Sequence, residues 1–110
     1  MSGWIGVDLD GTLAHYDHWR GVDTIGTPIA PMVERVRAWR RLGLDVRIFT
    51  ARVCHEEERE AVVTAIDAWC LVHLGETLPV TNVKDFGMVE LWDDRCVQVV
   101  PNTGEPVATL

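Results

Sequence analysis

Apolar residues run almost without interruption through Trp4, Ile5 and Val7, and the run closes at Asp8 with the turn residue Gly11 shortly after. That pattern predicts a short strand buried on both faces. From Pro31 the period changes: Met32, Val33, Val36, Trp39 and Leu42 recur at helical spacing, Pro31 suits the first turn and Gly43 the stop, so a helix is expected over 31–42. The segment "LDVRIFTA" places Val46, Ile48 and Phe49 in a second strand ending at Thr50. Residues 56–74 open on "EEERE", favourable at the positive end of a helix, and carry Val62, Ala65, Ile66, Trp69 and Val72 on one face, which predicts a second helix. "LPVTNV" before Lys84, "MVELW" before Asp93 and "CVQVV" before Pro101 read as three further short strands. Between the first strand and the first helix, "LAHYDHWRGVDTIGTP" is punctuated by Gly, Pro and Asp and reads as an excursion or hairpin above the strand end.

Strand, helix, strand, helix, strand is the alternation of an α/β fold, because right-handed crossovers lay helices on the faces of a parallel sheet. The expectation is one domain over residues 1–110 and a mainly parallel, Rossmann-like sheet of about five strands in a three-layer sandwich. Functional groups in such sheets gather at the carboxyl ends of strands. Here those ends carry Asp8, Thr50, Lys84 and Asp93.

The bulk numbers narrow the classes. A chain of 110 residues with 47% hydrophobic and 25% charged residues can bury a core and is not composed like a disordered segment. A net charge of -7 gives no general attraction to nucleic acid or anionic lipid, so an anionic substrate needs a local cation. Cys54, Cys70 and Cys96 are odd in number and lack CxxC spacing, which suits a reducing compartment and three small buried apolar residues better than a disulfide framework. Without a long apolar run or the marks of a signal peptide, a cytoplasmic location is expected.

Two or three neighbouring carboxylates raise one another's pKa unless a cation neutralises them. A set of oxygen ligands without a His/Cys cluster points to Mg²⁺ over Zn²⁺, and Mg²⁺ keeps open positions for phosphate oxygens. Thr50 and Lys84 would supply a hydroxyl and a positive charge to the same phosphate.

"DLDGTL" at 8–13, a strand ending in Thr50, then Lys84, then "LWDD" at 91–94 resembles the haloacid dehalogenase-like phosphohydrolases, with the four motifs in the family's order. The resemblance implies a nucleophilic Asp8 that forms an aspartyl-phosphate, and Asp10 as general acid to the leaving group and then general base to water. It implies Mg²⁺ bound by the Asp8 carboxylate, the Asp10 backbone carbonyl and an acid of the Asp93–Asp94 pair. Phosphate binding falls to the Leu9 amide, Gly11, Thr12, Thr50 and the following Ala51 and Arg52, with Lys84 offsetting charge on nucleophile and phosphoryl oxygens. The spans between motifs are filled by the hairpin and the two helices, which leaves no room for an inserted cap and implies the capless type, whose open site is covered by a large substrate or by oligomerisation.

The implied activity is phosphomonoester hydrolysis, with "DDR" at 93–95 and the aromatic flap at His15, Tyr16, Trp19 and Arg20 pointing toward a nucleotide or polynucleotide phosphate. The same residue types also serve plainer ends: a helix cap at Thr50, a solvated Lys84, a turn at Asp93 and Asp94, and a surface Arg52. The competing function is a phosphate-binding or protein-interaction module that keeps this fold without turnover.

Overall fold

The computed structural model describes residues 2–108. Its sheet is four-stranded and wholly parallel, with β1 (Trp4–Val7), β2 (Asp45–Phe49), β3 (Val80–Thr81) and β4 (Met88–Trp92) in the spatial order β3-β2-β1-β4. Helix α1 (Ala30–Arg41) joins β1 to β2, and α2 (Arg59–His73) joins β2 to β3. Both right-handed crossovers step in the same direction across the sheet, so the two helices share one face. Their buried residues Met32, Val33, Val36, Val62, Ile66, Trp69 and Cys70 form one cluster with Ile5, Val7, Val46 and Ile48. Period-2 alternation sends Trp4, Gly6 and Arg47 to the opposite face.

On that opposite face, among the described residues, no helix forms the expected third layer. The connection 82–87 passes there instead. Trp4 is 2% exposed, donates from Nε1 to Asp85 Oδ1 at 2.8 Å, and lies under the Arg47 guanidinium at 4.6 Å. Gly6 leaves room beside it, since a Cβ there would sit 3.0 Å from Met88 Cε and 3.2 Å from the Trp4 ring and would press on both.

The two helices and the first two strands match expectation closely. Helix α1 begins at Ala30 with Pro in its first turn and ends at Arg41 ahead of Gly43. The second helix starts later than its acidic run: Glu56–Glu58 make a 3₁₀ turn, and α2 begins at Arg59. The expected fifth strand at 96–100 is a correction. Those residues are exposed, and among them only Val99 makes a bridge, antiparallel to Pro106 across a turn. Pro101 and Pro106 remove donors that a ladder would need. Two of the three cysteines also depart from expectation: Cys70 is buried, whereas Cys54 and Cys96 are exposed.

The β1–β4 ladder carries a bulge: Trp4 pairs with Met88 but Ile5 with Glu90. The extra residue, Val89, sets Trp92 level with Val7, and a slip of one position would have turned Trp92 to the wrong face. Trp92 instead meets Trp39 of α1 edge-on at 5.2 Å, with the Arg35 guanidinium over its ring at 4.9 Å.

Candidate functional site

β1 has β2 on one side and β4 on the other, while the chain leaves it toward β2 only, so β1 marks the point where strand order reverses. Ligand crevices in open α/β sheets form at that point, beyond the carboxyl ends of the strands. Because Val7, Ile48 and Trp92 are in register, Asp8 and Asp93 emerge side by side, and the Asp8 amide donates to the Trp92 carbonyl at 2.9 Å. A cleft of about 840 Å³ opens there, lined by Asp8, Asp10, Thr50, Ala51, Arg52, Asp93 and Asp94.

Asp8, Asp93 and Asp94 each bring a carboxylate oxygen within 4.8 Å of the other two. Burial first, then a hydrogen bond shared with Asp94 and the charges of Asp93 and Asp94, push Asp8 up to about 7 against a lowering hydrogen bond from the Leu9 amide. Such a group is held part-way between proton and charge. The donor set is oxygen only, and a hard divalent ion between these carboxylates would relieve the repulsion that raises Asp8, so the residues fit Mg²⁺.

The loop after β1 supports this cluster. Gly11 has φ +89°, and a Cβ there would lie 2.8 Å from Asp94 Cγ. Thr12 Oγ1 donates to Asp94 Oδ1 at 3.1 Å and accepts from the Asp94 amide at 3.0 Å. Leu9 is fully buried, and its carbonyl accepts from the amides of Leu13 and Ala14, which curls the loop back beneath the site. Asp93 is fixed from its other side, since Oδ1 accepts from the Arg95 amide at 2.8 Å.

Asp10 stands apart from the trio. Its Oδ2 accepts from Arg52 Nε at 2.7 Å and its Oδ1 from Arg52 Nη2 at 2.9 Å, a fork that occupies both oxygens. Arg52, open to a surface reading in the sequence, has a side chain only 5% exposed, bonds the Thr24 carbonyl at 2.9 Å and lies over the Trp19 ring at 4.9 Å. Thr50 is buried, and its hydroxyl accepts from the Arg52 amide at 3.1 Å, capping the 3₁₀ turn Ala51–Val53. The cap leaves the hydroxyl proton to donate into the cleft.

The segment 11–29 forms the flap. Its neck is tied by the His15 amide to the Thr27 carbonyl and the Ile29 amide to the Leu13 carbonyl, both at 2.8 Å, and Gly26 is needed because a Cβ would strike the His15 carbonyl. Trp69 of α2 donates to the Gly26 carbonyl at 2.9 Å and anchors the flap to the core.

Lys84 lies in the exposed connection after β3, outside the lining of the cleft, where Asn82 takes the place closest to the strand end. Glu58 and Asn82 line the cleft without having been picked out in the sequence, and His55, which the sequence suggests as a surface or helix-packing residue, lines it too. Their signal was position: Asn82 directly follows β3, and His55 and Glu58 lie in the connection between the turn after β2 and the start of α2.

No family model and no curated protein matches the sequence. Among solved structures, a conserved protein from Bacteroides thetaiotaomicron superposes with a TM-score of 0.62 at 20% identity, over 93% of this chain and 84% of that one. That likeness is one of fold. No helix among the described residues is long and apolar enough to cross a membrane.

Proposed function

We propose that the chain is a capless, haloacid dehalogenase-like phosphomonoesterase that works through an aspartyl-phosphate on Asp8 and requires Mg²⁺. The observation that carries this reading is Asp8 itself: a carboxylate at the strand-order reversal, pushed up to about 7 by burial and by Asp94 and Asp93. An isolated turn gains nothing from that cost, whereas a nucleophile facing a phosphoryl group and a cation does.

In the first step an Asp8 oxygen bonds to phosphorus, the bond from phosphorus to the ester oxygen breaks with its electron pair going to that oxygen, and Asp10 delivers a proton to it. In the second step water attacks phosphorus, Asp10 takes the water's proton, and the bond to Asp8 breaks to release phosphate. Because Arg52 occupies both oxygens of Asp10, Asp10 serves as the acid only after Arg52 moves off the fork and Asp10 takes a proton from solvent, the proton it then passes to the ester oxygen. Thr50 donates to a phosphoryl oxygen, and the Leu9 amide does the same once it turns from the Asp8 carboxylate it bonds in this structure. Mg²⁺, held by Asp8, the Asp10 carbonyl and one of Asp93 and Asp94, would supply the charge that keeps Asp8 ionised and offsets the phosphoryl oxygens. Arg52 and Arg95 are the cations lining the cleft, and Lys84 would join them only by reaching in from its loop. The reading places the protein in the cytoplasm, acting on a nucleotide or polynucleotide phosphate in a site left open or covered by a second copy.

The Arg52 fork on Asp10 favours one alternative, a phosphate-binding module without turnover. A phosphomonoester panel assayed with Mg²⁺, with EDTA, and with EDTA followed by Mg²⁺ decides between them. Hydrolysis that is lost and restored, and absent from Asp8→Asn, supports the enzyme. Phosphate binding without hydrolysis supports the module.

A further inference from the structure

A second cavity, of about 530 Å³, lies between the flap and Arg52, lined by His15, Tyr16, His18, Arg20 and Thr24 among others. It shares only Tyr16 and Arg52 with the carboxylate cleft. Arg52 therefore forms a wall with a different duty on each side. Asp10 takes the Nε/Nη2 edge of its guanidinium, and the Thr24 carbonyl takes the other proton of Nη2. Nη1 is the corner turned away from Asp10, and it is buried without a hydrogen-bond partner. Thr24, beside that corner, lines the flap cavity and not the carboxylate cleft.

A guanidinium nitrogen can only donate, and leaving a buried donor unmet is costly. Nη1 is closed to solvent in this structure, so an acceptor in the flap cavity reaches it by a shift of the flap around Arg52, and the contact then removes that cost. The rim offers donors to an anion: the Arg20 guanidinium and the imidazole N–H groups of His15 and His18 line the opening. Its one acid, Asp17, is exposed and already engaged by Arg20 at 2.9 Å and His18 at 3.0 Å, contacts in open solvent that exchange readily for a stronger anion.

We infer that the flap cavity is a second phosphate subsite, so that the substrate is a phosphomonoester carrying a further phosphate, as in a nucleoside bisphosphate. The ester phosphate sits in the carboxylate cleft, the second phosphate meets Arg52 Nη1 and Arg20, and the linking portion passes Tyr16. The inference rests on the phosphatase reading for the word substrate, but the anion subsite can be measured without turnover.

The test is calorimetric titration of Asp8→Asn protein, with Mg²⁺ present, using adenosine 3′,5′-bisphosphate, adenosine 3′-monophosphate and adenosine 5′-monophosphate. The bisphosphate should bind at least about tenfold tighter than either monophosphate, the return from one added charge-assisted contact. Arg20→Gln, at an exposed position that does not threaten folding, should remove most of that advantage. Equal affinity for the three ligands, or an advantage untouched by Arg20→Gln, would overturn the subsite. Wild-type hydrolysis of p-nitrophenyl phosphate is followed in parallel. Turnover without a bisphosphate advantage defeats the subsite alone, whereas the advantage without any turnover defeats the phosphatase reading and leaves the subsite standing.

Discussion

Thr12 and Asp94 stand 82 residues apart in sequence and exchange two hydrogen bonds through a single hydroxyl, which donates to the carboxylate and accepts from the amide of the same residue. The loop after the first strand is thereby fastened to the loop after the last, and Asp94 is aimed at Asp8.

Thr12→Val keeps the shape and removes both bonds. Loss of an outer partner to a metal ligand typically weakens metal affinity ~10- to 100-fold, so Mg²⁺ activation should shift to higher concentration by that factor while thermal unfolding changes little. An unchanged Mg²⁺ dependence would remove Asp94 from the ligand set.

Asp8 links the site to stability. Its folded value of about 7 lies above the ordinary 3.8, so the folded state holds this proton more tightly than the unfolded chain. The stabilisation from that proton is complete below the ordinary value and is lost as pH rises through the folded one. Metal-free Asp8→Asn should therefore melt above wild type at about pH 8, with the gap closing toward about pH 4. Mg²⁺ should raise the melting temperature of wild type at the higher pH and raise that of Asp8→Asn, which keeps Asp93 and Asp94, by less. A gap independent of pH would mean that Asp8 does not feel its neighbours.

Gly11→Ala forces a Cβ into the left-handed region and against the Asp94 carboxylate. The backbone cost alone is about 1 to 2 kcal/mol. The displaced Asp94 should reduce turnover more than this loss of stability would, which paired measurements of melting and steady-state rate can separate.

Asp10→Asn distinguishes proton transfer from positioning. General acid catalysis contributes ~10²- to 10⁴-fold, so formation of the phosphoenzyme should slow by that order for alkyl phosphates and far less for p-nitrophenyl phosphate. Single-turnover measurement is needed, because Asp10 also activates water in the second step. Equal slowing for both leaving groups would leave Asp10 with a positioning role.

The parts legible in the sequence are those set by local pattern. Near-continuous apolar residues marked β1, helical spacing from Met32 marked α1, and both ended where Asp8 and Gly43 stand. The order of motifs also located Asp8, Asp93 and Asp94, whose meeting depends only on β1 and β4 being neighbours in register. What escaped depends on tertiary placement. Nothing periodic links Arg52 to Asp10 across 42 residues, and the bond exists because β2's turn and β1's loop share one crevice. "CVQVV" has the composition of a strand, yet its backbone finds no neighbouring strand to pair with and a proline follows directly. Cys54 follows the 3₁₀ turn that Thr50 caps, so it faces the cleft instead of the core.

The place of β4 has a consequence for synthesis. It pairs with β1, the first of the four described strands in chain order, but is itself the last of the four, and Asp93 and Asp94 follow it. A nascent chain that has produced Asp8, Thr50 and Arg52 still lacks two of its three clustered carboxylates, one of which, Asp94, is also the partner of the Thr12 hydroxyl. Until that final ribbon docks along the edge of β1, Asp8 has neither the neighbours that raise it nor the cluster that could keep a divalent ion. The three-carboxylate cluster therefore forms in one late step, when β4 joins the sheet and brings Asp93 and Asp94 beside Asp8.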